Sequence, residues 1–218
     1  MPRSKELERL RKQIQALSQS VADLESRFET AVKVLATVHR LSETLVSSLS
    51  LEEASRSMVD SLVRELPDAD KCSILLYSQE EGLLKLAAAR GQMDLLGEDE
   101  PHNKGLVFRP GEGLAGRVFA EGRPYFVNQE TTESRLIKKG FGLTTPVSLA
   151  CLPLHSLGRR LGVLNISFPA ARTYDPPRRR DLVVLAGVVA NIVQTFLFKA
   201  ELDRRVLEQI QQGRKISP

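Results

Sequence analysis

Apolar side chains at Leu7, Leu10, Ile14, Leu17, Val21, Leu24 and Phe28 alternate spacings of three and four residues, and Ala31, Leu35 and Val38 continue the series until it fades at Ser42. A repeat of about 3.5 residues held for about four heptads, with polar residues at nearly every other position, predicts a coiled-coil helix. With Leu7 at position a, Ile14 and Val21 also fall at a, and Leu10, Leu17 and Leu24 fall at d. Branched residues at a with Leu at d favour two parallel strands, so the expected partner is a second copy in a parallel homodimer. The competing arrangement is one amphipathic helix packed on its own domain.

The helical pattern restarts in "SSLSLEEASRSMVDSLVRELPDAD". Ser48 or Ser50 is placed to cap a second helix with Glu52 and Glu53 in its first turn. Leu51, Ala54, Met58, Leu62 and Leu66 form its stripe, and Pro67 stops it. The rhythm then changes to that of strands. "KCSILLYS" (71–78) and "LLKLAAAR" (83–90) form a hairpin across "QEEG". Residues 91–104 are a polar loop, and a third strand at 105–109 runs into Pro110. A short helix over about 114–120 is closed by Gly122 as a left-handed cap, and 124–128 is a fourth strand. After a second long connection (129–146), "VSLACLPLHS" and "RRLGVLNISFP" make the last hairpin at "LGRR". A long helix then starts near residue 177 and ends at Gly213. Tight turns between strands imply an antiparallel sheet with helices on its face, an α+β fold with long N- and C-terminal helices.

The segment "GEGLAGRVFAEGRPYFVN" (111–128) has the spacing G-x-G-x-x-G at Gly111, Gly113 and Gly116. A dinucleotide site needs that turn between a strand and a full crossover helix returning to a parallel strand. Here the helix lasts about two turns before Gly122 and no alternating βαβ rhythm surrounds it, so the dinucleotide reading fails. The run "RPGEGLAGRVFAEGRPYFVN", followed by "SLACLPLHSLGRRLGVLNISFP" and a D-L-x-x-L-x-x-x-x-A-N helix from Asp181 to Asn191, resembles a GAF domain. The resemblance covers about residues 50–200, so together with the predicted coil the chain is read as three parts: a coiled-coil helix (1–47), a GAF domain (48–200) and a helix extension with tail (201–218). It also implies a non-enzymatic sensory or dimerising module that binds a small molecule or an output protein and signals through paired terminal helices. The glycines then serve a tight turn beside a pocket. The expected lining is Phe108, Arg109, Gly113, Leu114, Ala115, Gly116, Phe126 and Cys151, with Phe141 and Thr144 on the second connection. The N–H groups of Gly113 to Gly116 would be open to an anion, and Arg109 or Arg117 could fork a carboxylate or phosphate. No cofactor is specified.

Composition narrows the chemistry. Net charge is +4 in 218 residues, and the basic residues at Lys138–Lys139, Arg159–Arg160 and Arg178–Arg180 lack interleaved aromatics, so nucleic acid is not expected as a partner. The uncharged stretch Leu182–Phe198 is shorter than the about 20 residues of a membrane span and is read as a core or interface helix. Cys72 and Cys151 lie inside strands without ligand spacing, consistent with a cytoplasmic protein lacking disulfides and metal. His39, His102 and His155 make no triad with a nucleophile, so no catalytic residue is assigned. Within the resemblance, the N-K-x-x-F-x-x-x-D-E signature of cyclic-nucleotide-binding members is missing from 129–170. A cysteine placed for a bilin is missing too, as are the several cysteines of the sulfoxide-reducing members. The alternatives are a ligand-free dimerisation module and a small cysteine-dependent sulfoxide reductase.

Overall fold

The computed structural model describes residues 2–66, 69–91, 107–128, 148–168 and 174–214. Helix α1 spans Pro2–Ser47 and α2 spans Leu51–Glu65; α3 is Gly113–Glu121 and α4 is Pro176–Arg214. The strands are β1 (Lys71–Ser78), β2 (Leu83–Arg90), β3 (Val107–Phe108), β4 (Tyr125–Asn128), β5 (Ser148–Ser156) and β6 (Arg159–Phe168).

The chain divides into two compact units, Met1–Ala36 and Thr37–Pro218. The first is helix, and the predicted a and d residues Leu10, Ile14, Leu17, Val21, Leu24 and Phe28 are exposed; Leu17 and Phe28, for example, are 70% and 71% accessible. In the second unit the end of α1 buries Thr37, Leu41 and Thr44, and Arg40 pairs with Glu65 of α2 at 2.9 Å. Ser50 caps α2: its Oγ accepts from the Glu53 N–H at 3.1 Å, while Glu53 Oε2 accepts from the Leu49 N–H at 2.8 Å. The helix ends at Glu65, with the Leu66 N–H donating to the Leu62 carbonyl at 3.0 Å.

The six strands form one antiparallel sheet in the order β3-β2-β1-β6-β5-β4. Period-two alternation along these strands divides the side chains between two faces. One face packs on α2 and α4, with α2 over β1 and β2 and α4 over β5 and β6. The other packs on α3 and holds a cluster of Leu75, Leu84, Phe108, Leu114, Val118, Phe119, Val127, Leu149, Cys151 and Val163.

Helix α4 is long and apolar enough to cross a membrane by composition. In this fold Leu182, Leu185, Ala186, Val189, Ala190, Val193 and Phe196 are buried in the domain, as expected of a core helix. It passes through Gly213 to Arg214, so this glycine does not end the helix as expected. A single helical glycine costs about 1 kcal/mol, too little to stop a helix already in progress.

Candidate functional site

The glycine segment is a closed, hydrogen-bonded turn. The Glu112 N–H donates to the Arg109 carbonyl at 2.9 Å, and Glu112 Oε2 accepts from the Arg109 N–H at 3.0 Å. The Gly111 N–H donates to the Gly116 carbonyl at 2.7 Å. Gly111 and Gly113 have φ of +86° and +61°. Gly116 presses against the turn so closely that a Cβ there would lie 2.1 Å from the Arg109 carbonyl oxygen. The segment therefore folds on itself, which explains its glycines without a nucleotide.

One expected donor is already used. The Gly116 N–H donates to the Glu112 carbonyl at 3.0 Å, because that bond is the first of α3, leaving Gly113, Leu114 and Ala115 as the open start of the helix. The other end carries the expected left-handed cap, Gly122 at φ +70°, whose N–H reaches the Val118 carbonyl.

The structure brings Phe108, Leu114, Ala115 and Cys151 into the α3-face cluster. Phe126 is not among them. It pairs with Ala150 of β5, while its neighbours Tyr125 and Val127 pair with Cys151 and Leu149. Strand alternation thus turns its ring to the α4 face, where it lies 5.1 Å from the Tyr174 ring under the Arg179 guanidinium. Arg109 shapes the turn through its backbone and is exposed. Arg117 is committed to Glu121 at 2.8 Å and stacks over Tyr125, whose hydroxyl also donates to Glu121. Those two hydrogen bonds hold the Glu121 carboxyl below its ordinary range. Phe141, Thr144, His102, Lys138 and Lys139 lie outside the described residues.

The arginines at the start of α4 have structural work. The Asp175 carboxylate accepts from the Arg178 N–H at 2.9 Å, as an N-cap. Arg178 stacks over Phe168, and Arg179 stacks over Phe126 while donating to the Tyr174 carbonyl at 2.7 Å. Cation–π contacts of about 0.5–1 kcal/mol each offset a similar cost of cations at a helix N-terminus.

A polar corner went unpredicted. Ser73 of β1 and Asn165 of β6 are register partners on the α3 face, and the Asn165 amide donates to Ser73 Oγ at 3.3 Å. Asn165 also pairs with Cys151, and Ser167 follows it on the same face. All four residues are buried. The available signal was the i, i+2 spacing of Asn165 and Ser167 inside the apolar strand "VLNISF". An apolar wall beside neutral hydrogen-bonding groups can orient a small molecule.

Cys72 and Cys151 are free and buried, and burial pushes both thiols well above their ordinary range. Register places Cys72 opposite Ile166 and Cys151 opposite Asn165, neighbours in β6 that face opposite sides of the sheet. The two thiols cannot form an exchange pair. Among the described residues no group of three or more His, Cys, Asp or Glu is placed to hold a metal ion.

The Nif-specific regulatory protein of Azospirillum lipoferum is 29% identical to this chain over 155 residues, covering 69% of this chain and 22% of that protein. The chain thus spans well under two thirds of this relative's length. The GAF domain of a phosphoenolpyruvate-protein phosphotransferase from Coxiella burnetii superposes with a TM-score of 0.61 at 21% identity, over 78% of this chain and 98% of that one. Free methionine-R-sulfoxide reductase from Neisseria meningitidis superposes at 0.58 and 15% identity, over 76% and 91%. At these identities the two structures speak for the fold alone. A family profile described as "GAF domain" matches residues 48–194, which takes in all six strands and α3, and the chain belongs to the GAF domain family.

Proposed function

We propose that this chain is a non-enzymatic sensory GAF module of a regulatory protein. It binds a small molecule or a partner on the α3 face and transmits through terminal helices paired in a parallel homodimer. In this reading residues 1–47 are the signalling coil, 48–200 the sensor and 201–218 the extension toward an output. The observation that carries it is the apolar seam of α1. Leu10, Ile14, Leu17, Val21, Leu24 and Phe28 recur at three-four spacing and are all exposed, which two parallel copies would bury as a and d layers. The likeness to a Nif-specific regulatory protein supports the regulatory side of the reading.

The binding role rests on Phe108, Leu114, Ala115 and Cys151 beside Ser73, Asn165 and Ser167, with Gly113 at the open helix start. Purification from the native host, followed by native and denaturing mass spectrometry and an absorption scan, is expected to show one small molecule per chain. A colourless protein of sequence mass that gains no ligand would favour a pure dimerisation module. Leu17→Glu with Leu24→Glu is expected to convert the dimer to monomer by sedimentation equilibrium. A dimer unchanged by both substitutions would remove the coil from the interface.

The reductase alternative asks two high-pKa thiols on opposite faces of a sheet to act together. With free methionine sulfoxide and dithiothreitol, the expected outcome is no enzyme-dependent turnover. Turnover abolished by Cys151→Ser would overturn that expectation.

A further inference from the structure

The sheet separates α3 from α4, so an event at the α3 face needs a physical route to the other side. The β5–β6 hairpin end touches both. Its strands are joined by Leu157 and Gly158 at φ +48° and +73°, between the register pair Ser156 and Arg159. Positive φ at both central residues matches the right-handed twist of the flanking strands and makes a stiff two-residue turn. A register shift between Leu154 and His155 re-aims the side chains beyond it.

On the α3 side, Arg160 Nη1 donates to the carbonyl of Phe119 at 3.2 Å and to that of Ala120. These are last-turn carbonyls, which lack partners within the helix and favour a cation. His155, the register partner of Arg160, lies against the α3 cap so closely that a Cβ on Gly122 would come within 2.9 Å of its ring. On the α4 side, the buried Ser156 donates its hydroxyl proton to Asn191 Oδ1 at 2.9 Å. A few adjacent residues therefore hold the C-terminal end of one helix and the middle of the other through opposite faces of one stiff hairpin.

We propose that this hairpin end is a coupling device: displacement of α3 pulls on Arg160 and reaches α4 through Ser156 and Asn191. The inference rests on the reading of α3 as the sensing face and α4 as a transmitting helix, yet its test needs no ligand. Hydrogen exchange followed by mass spectrometry would compare the full chain with Arg160→Ala, Arg160→Lys, Ser156→Ala and the Arg160→Ala/Ser156→Ala double variant. Arg160→Ala is expected to speed exchange about fivefold or more in α3 and also in α4 around Val188–Thr195, the lower end of typical coupling between sites. Arg160→Lys, which keeps the charge and loses the planar guanidinium, is expected to show the same pattern more weakly, and it carries the test if the alanine variant does not fold. In the double variant, α4 is expected to exchange no faster than in Ser156→Ala alone.

A change confined to α3 would overturn the proposal, as would a uniform rise that includes β1 and β2. Failure to find a ligand would favour the pure dimerisation module and leave the coupling intact. An α4 indifferent to Arg160 would do the reverse.

Discussion

Gly116 and Gly187 are both helical glycines with opposite surroundings. At Gly116 the first atom that a Cβ would meet is a backbone oxygen of the turn it helps close, and backbone cannot rotate aside. Gly116→Ala is expected to cost about 1–3 kcal/mol, the range of overpacking in a tight site. At Gly187 nothing lies within 4 Å of the Cβ position, so Gly187→Ala is expected to stabilise by about 0.5–1 kcal/mol through helix propensity. Urea titration followed by circular dichroism reads both, since the chain has no tryptophan to report by fluorescence. His155 adds a pH dependence of known sign. Partial burial and the nearby Arg160 charge lower its pKa from the ordinary value. The unfolded chain therefore takes up the proton at higher pH than the folded one. The contribution is fully present above the ordinary histidine pKa of about 6.5 and is lost as pH falls through the lower folded value. Thermal unfolding of His155→Gln across pH 5 to 8 should show a shallower acid slope than the unsubstituted chain. The difference should be small, because the ring is largely exposed.

At the scale of elements, the caps were readable because they are local. Ser50, Glu52 and Glu53 lie within a few residues of the helix start they serve, and Gly122 directly follows the helix it ends. Ser50→Ala should cost about 1 kcal/mol in a urea titration, since it leaves the Glu53 N–H without its side-chain acceptor. The α1 seam was readable for the same reason: the three-four spacing of Leu10, Ile14, Leu17, Val21, Leu24 and Phe28 is a repeat along a single helix. Along α4 the stripe is broader, because a helix lying between a sheet and α2 buries more than two positions per turn pair. That breadth made a core helix look like a span. The faces of short strands were harder to read. "PYFVN" holds three consecutive apolar residues, Tyr125 to Val127, so no alternation marks its faces, and only pairing with β5 decides that Val127 goes to the α3 side and Phe126 to the α4 side.

At the scale of the molecule, the unit Thr37–Pro218 contains every described strand and the described core, while the described residues of Met1–Ala36 are helix. Removing residues 1–36 is expected to leave a cooperatively folding domain whose dimer is weakened at least about tenfold, or about 1.4 kcal/mol. Sedimentation equilibrium with a thermal melt would check this, and an undiminished dimer would assign the pairing to the second unit. Sequence alone determined what depends on neighbours along the chain. This includes the heptads, the caps of α2 and α3, the two hairpins and the turn glycines that exclude a dinucleotide site, together with the family resemblance carried by those parts in order. Only the tertiary structure decided which distant residues meet. Asn165 and Ser73 are 92 positions apart, Arg160 and Phe119 are 41, and Ser156 and Asn191 are 35. Periodicity says that a side chain has a buried face, but the opposing partner is set by strand order and register, which no local spacing encodes.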